Sequence, residues 1–271
     1  MYVKETVTAG ETIEVRKYHT IKYCRKGQRR GVNTGKTTER QARINRRNAQ
    51  RTLRQLINAN FGGSDIHLVL TYRREERPTA AEAKKKIAVF LRQLRAAYKA
   101  AGQELKYIQV PPEHVGGAVH HHLIISGIDA RVIRELWPHG GVHPSYLDST
   151  GNYAGLARYI IKETDSKLAR GAEARKRAEA GEDYCGRRWS CSRNLKKPEV
   201  KKEIVKADSW REQPTAKEGY IIETDSIVNG VNEDGYAEQT YIMRRIRPAK
   251  ECRKDGRQNR NELELEKKRG R

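Results

Sequence analysis

The chain has 271 residues, with 56 Lys and Arg against 34 Asp and Glu and a formal net charge of +22. That length suits one catalytic domain with flanking segments and leaves no room for a nuclease joined to a full helicase motor. The excess of positive charge points to a polyanionic partner, because basic groups displace counterions condensed on a phosphate backbone; a merely soluble basic surface is the bland alternative.

No segment approaches the roughly 20 apolar residues of a membrane span. The start, Met1-Tyr-Val-Lys-Glu5, lacks the apolar centre of a signal peptide, so a cytoplasmic protein with no membrane partner is expected. Cys24, Cys185, Cys191 and Cys252 are scattered, and the spacing of Cys185 and Cys191 is too wide for most zinc knuckles. They read as reduced thiols.

The first sixty residues are polar and basic. Residues 38–60 have helix-forming composition, with Arg40, Arg43, Arg47, Arg51 and Arg54 at steps of three and four, which makes one basic stripe. Such a stripe is either a solvated face or a surface that tracks a phosphate backbone. His67-Leu-Val-Leu-Thr-Tyr72 reads as a strand, and Pro78-Thr79 opens an amphipathic helix to about Ala101 with Ile87, Phe90, Leu91 and Leu94 on one side. Lys106–Val110 is a second strand, closed by Pro111-Pro112, and Gly116-Gly117 leads into Ala118–Ile125 to make a hairpin. A short helix over Asp129–Trp137, an extended piece over Gly141–Leu147 and a helix over Asn152–Glu163 capped by Asn152 follow. Beyond Thr164 come a charged helix-like stretch, a loop around Trp189–Leu195, and two further strands at Tyr220–Thr224 and Thr240–Arg244.

Side chains alternate along a strand, so His120 and His122 share a face while His121 points the other way. Two imidazoles at that spacing suit one divalent cation, with Glu113 as first choice for a third ligand and Gln109 as second. A hydrogen-bonded histidine cluster fits the same residues. In Asn152–Glu163, helical phase puts Tyr153 with Leu156, Ala157 and Ile160, and puts Tyr159 with Lys162, Gly155 and Arg158 on the opposite side. Tyr153 therefore reads as a core aromatic. A phenol with a nearby cation is a better nucleophile than its unperturbed pKa of about 10 allows, although a solvated Tyr and Lys would look alike.

His120-His121-His122 followed by Tyr159-Ile-Ile-Lys162 resembles the HUH endonuclease superfamily, and Leu68-Val-Leu-Thr-Tyr72 is similar to the first motif of its rolling-circle replication initiators. His121 stands at the usually hydrophobic position of the HUH motif. Trp189–Leu195 is similar to a stretch in initiators of plasmids, phages and integrated elements.

The resemblance implies an α+β fold with an antiparallel sheet of about five strands flanked by helices. It further implies a Mg²⁺ or Mn²⁺ cofactor and a Tyr159 that nicks and rejoins single-stranded DNA at a replication origin through a 5′-phosphotyrosine link. Lys162 would offset phosphate charge, and a separate host helicase and polymerase would act with it. Arg158 and the arginine stripe would contact DNA. The implied organisation is a basic arm and helix over 1–60, a nuclease domain over 61–165, a basic accessory region over 166–247 and a charged, disordered tail over 248–271. A single-tyrosine transposase, a relaxase, or a non-catalytic RNA- or DNA-binding module would share many of these features. Gly31–Thr37 imitates a phosphate-binding loop but its glycines are wrongly spaced, and His114, His139 and His143 read as surface residues.

Overall fold

In chain order the elements are β1 (Tyr2–Ala9), β2 (Thr12–His19), α1 (Glu39–Asn60), β3 (Ile66–Thr71), α2 (Ala80–Ala100), β4 (Tyr107–Gln109), β5 (His120–Ile125), α3 (Ala130–Leu136), β6 (Val142–Tyr146), α4 (Ala154–Arg170), β7 (Ser190–Cys191), β8 (Glu199–Val205), β9 (Tyr220–Ile222), β10 (Val228–Val231) and β11 (Ala237–Arg245). They come from a computed structural model that describes residues 1–21, 38–110, 119–170, 188–206, 211–232 and 235–246, the side chains of residues 80 and 163–170 excepted. The expected α+β class holds.

One sheet has five strands in the order β6-β3-β5-β4-β7, antiparallel at every pairing. Its two faces are built from alternate residues of the same strands. Ile66, Leu68 and Leu70 of β3 and Leu123 and Ile125 of β5 pack against Ile87, Phe90 and Leu94 of α2 and Ile133 of α3. Burying each such side chain contributes about 1.5–3 kcal/mol. Helix α2 starts where Pro78-Thr79 predicts, because Thr79 and Glu82 form a reciprocal capping box. On the other face, Ile108 and Ile124 meet Leu53 and Ile57 of α1 and Tyr153, Ala157, Ile160 and Ile161 of α4.

The second sheet runs β10-β11-β2-β1-β8, with β9 also on β11. Its centre is the β1–β2 hairpin, formed by residues that looked only polar and basic in the sequence. Val3, Val7 and Ala9 alternate along β1, and the turn needs Gly10, which has φ +57° and whose added Cβ would stand 2.0 Å from the Asn58 carbonyl oxygen. The sheet grips α1 through Glu14. That buried carboxylate receives Arg51 Nε at 3.2 Å, Arg54 Nη2 at 2.5 Å and Gln55 Nε2 at 2.5 Å.

Asn58, near the end of α1, joins both sheets to the helix that carries Tyr159. Its Nδ2 donates to Thr12 Oγ1 at 2.9 Å, and its Oδ1 accepts from the Tyr153 backbone N–H at 3.0 Å. Asn152 was expected to cap α4, but the helix begins at Ala154 and the Ala157 N–H bonds to the Tyr153 carbonyl. The Asn152 side chain instead accepts from Asn58 at 3.4 Å and donates to Glu223 at 2.6 Å. Tertiary partners outcompeted the local cap. The helix also runs seven residues past the expected end at Glu163, to Arg170, and the Trp189–Leu195 loop contains β7, which extends the first sheet. Gly31–Thr37, most of the charged stretch after Arg170 and the tail from residue 247 lie outside the described residues.

Candidate functional site

Strand alternation divides the three histidines of β5. His121 shares a face with Leu123 and Ile125, is wholly buried, and shares a 2.8 Å hydrogen bond with the Tyr72 hydroxyl. Trp137 stands edge-on to it at 5.7 Å. Burial pushes the Tyr72 phenol far above its ordinary pKa, so this hydroxyl keeps its proton.

His120 and His122 lie on the opposite face, their ring centroids 4.8 Å apart. Helix α4 crosses there. Tyr153 and Tyr159 separate as helical phase predicts: Tyr153 is 3% exposed and its hydroxyl donates to the Asp148 carbonyl at 3.0 Å, whereas Tyr159 is 45% exposed. The Tyr159 ring stands edge-on to His122, with centroids 5.5 Å apart at 80°. Arg158 and Lys162 are exposed on the same side of α4.

A fourth imidazole belongs to this group, and motif reading passed over it. In β3, Ile66, Leu68 and Leu70 take the α2 face, which leaves His67 and Val69 on the Tyr159 face. Antiparallel register sets Val69 opposite His122 and His67 opposite Ile124. His67 Nε2 is thereby 3.3 Å from His122 Nδ1, with the two rings nearly parallel at 7° and 5.5 Å between centroids. Tyr159 is also edge-on to His67 at 6.3 Å. Burial pulls the His67 pKa below its ordinary value, which keeps the ring neutral at neutral pH. The available signal was a lone polar residue at an odd position of an otherwise apolar strand, but its neighbour is knowable only from the pairing register.

Two imidazoles on a rigid strand suit a divalent cation, so His120 and His122 fit as a pair of its ligands. Among the described residues no group of three His, Cys, Asp or Glu side chains is placed to hold a metal ion. Glu113, the first choice for a third ligand, lies outside the described residues. Gln109, the second, is ruled out by register: it pairs with Leu123 and so belongs to the α2 face, opposite His122. His143, on the edge strand β6, pairs with Val69 and is exposed on the His122 face. His139 packs on Trp137 at 5.1 Å, while His114 lies outside the described residues. Cys191 is a free, exposed thiol, and Cys24, Cys185 and Cys252 lie outside the described residues.

Residues 65–164 match the family model for replication-associated proteins of the ORF2 type. This replication-associated span contains β3 through most of α4, and with them His67, His120, His122, Tyr159 and Lys162. It leaves out α1 and the whole second sheet. No curated protein and no solved structure matches the chain. No helix among the described residues is long and apolar enough to cross a membrane.

The arginine stripe that precedes the replication-associated span does not act as one surface. Residues 39–48 are all exposed, Arg40, Arg43 and Arg47 among them, but Arg51 and Arg54 are turned onto Glu14. Those two serve the packing of α1 on β2. Periodicity could not reveal this, since Glu14 comes from a strand that the composition had hidden.

Proposed function

We propose that the chain is a rolling-circle replication initiator that nicks and rejoins single-stranded DNA, with Tyr159 as the nucleophile. The observation that carries this reading is the half-exposed Tyr159 ring edge-on to His122 at 5.5 Å, on the one face that also holds His120. The match of residues 65–164 to a replication-associated family supports it.

In this mechanism the Tyr159 oxygen attacks the scissile phosphorus in line. A bond forms between that oxygen and phosphorus, the bond from phosphorus to the 3′ oxygen breaks, and the phenolic proton leaves as the 3′ hydroxyl is released. The product is a 5′-phosphotyrosine, and attack by a 3′ hydroxyl reverses the step and rejoins the strand. Lys162 and Arg158, exposed on the same side of α4, offset phosphate charge. His120 and His122 would hold Mg²⁺ or Mn²⁺ with Glu113 as third ligand, and the bound cation would polarise the phosphate. Arg40, Arg43 and Arg47 contact flanking backbone, and host helicase and polymerase take over from the free 3′ end.

The test is to incubate the full chain with single-stranded DNA spanning its origin and Mn²⁺, then denature and digest. The expected result is a covalent adduct on the peptide carrying Tyr159, absent after chelation by EDTA and restored by added Mn²⁺. Adduct formation that survives exhaustive chelation would remove the cation from the mechanism, and DNA on another peptide would remove Tyr159.

A further inference from the structure

The ring-to-ring contact between His67 and His122 constrains where their protons can be. A neutral imidazole carries one N–H and one lone pair, so two ring nitrogens 3.3 Å apart attract only if one of them bears hydrogen. Two tautomer pairs satisfy the contact. If His67 Nε2 carried the proton, His122 Nδ1 would be its acceptor and His122 Nε2 would itself be protonated, unable to bind a cation. If His122 Nδ1 carries it, His122 Nε2 is left with a lone pair.

We infer that His67 is a positioning residue: its Nε2 accepts the Nδ1 hydrogen of His122, which fixes the His122 ring and leaves Nε2 as the donor to a divalent cation. The inference rests on the metal site proposed above. Histidine ligands need a partner on their second nitrogen to set tautomer and orientation, usually a carboxylate or carbonyl. Here a second imidazole does it. Both rings stand on paired central strands, with Val69 directly opposite His122, so backbone register holds the separation without help from a loop. The near-parallel rings, at 7°, keep the accepting lone pair close to the plane of the donor ring. His67 is thus not a third ligand, because its Nε2 is already directed at His122 Nδ1.

Three preparations of the full chain test this: wild type, His67→Leu, which cannot accept the hydrogen, and His67→Gln, whose amide oxygen can. Nitrogen-15 NMR of the histidine rings in metal-free wild type should give His122 protonated at Nδ1 and bare at Nε2. The opposite tautomer overturns the inference. Direct Mn²⁺ titration, read by the paramagnetic signal of free Mn²⁺ and with no DNA present, should show His67→Leu weakened about 10–100-fold. Affinity in His67→Gln should return close to wild type, a rescue that a mere packing role would not produce. Wild-type affinity in His67→Leu overturns the inference and leaves the metal site standing, whereas no Mn²⁺ binding by wild type overturns both. If His67→Leu does not fold, the tautomer measured in wild type decides alone.

Discussion

His121 and His122 are neighbours in sequence on opposite faces of one sheet, the first against Tyr72 and Trp137, the second against His67 and Tyr159. The α2 face is closed, with apolar side chains above and below His121, and the hydrogen bond to Tyr72 completes a core. The α4 face closes over Ile124 and opens toward His120, where Tyr159 reaches solvent. The same side chain is a structural part on one face and a candidate ligand on the other. Residue type therefore says little about role until the strand has been given a direction and a partner.

Substitutions can break this contrast. The largest expected effect is from Tyr159→Phe, which should reduce adduct formation to background while leaving thermal stability unchanged, since the ring is half exposed. Tyr153→Phe should retain the adduct and lose about 1 kcal/mol through its bond to the Asp148 carbonyl. Denaturing electrophoresis with a labelled strand reads both. Adduct lost only in Tyr153→Phe would reverse the assignment of the two faces of α4.

Next come the histidines themselves. His122→Ala should abolish nicking with a folded protein remaining, whereas His121→Ala should keep nicking and lose about 2–3 kcal/mol, because it opens a cavity and strands the buried Tyr72 hydroxyl. Calorimetry beside a nicking assay separates the two outcomes. Equal loss of activity at equal stability would mean that alternation does not decide function here. Tyr72→Phe sharpens the same point at a smaller scale, with an expected cost of about 1–2 kcal/mol and activity retained.

The smallest effect tests the divided arginine stripe. Replacing Arg40, Arg43 and Arg47 with Gln should weaken DNA binding and flatten its dependence on salt by roughly 0.7 of a log–log unit per lost contact on single strands. Replacing Arg51 and Arg54 should leave that slope unchanged and lower stability instead, by about 3 kcal/mol as Glu14 loses its partners. A slope that falls equally in both sets would return the stripe to a single surface.

Much of the half that carries the histidines was legible because its signals are local. Alternation in Ile66–Thr71, the Thr79 cap and the phase of α4 each depend on neighbours a few residues away, and the strands and helices follow them. The second sheet was not, although Val3, Val7 and Ala9 alternate, because charged residues between them dominate the composition. His67, the Glu14 clasp on α1 and the diversion of Asn152 to Glu223 are all long-range facts. They join residues 55, 40 and 71 positions apart, and only chain pairing brings such residues together.

Tyr159 stands on the outer surface of a helix, 45% exposed, and not at the base of a shaft. On the proposed reading this has a topological consequence. A closed circle of DNA has no end to thread, so a site that had to be entered lengthwise would exclude it. A ring laid open on a helix takes an internal segment sideways, holds it as a loop with both flanks running away, and after resealing lets it lift off as an unbroken circle.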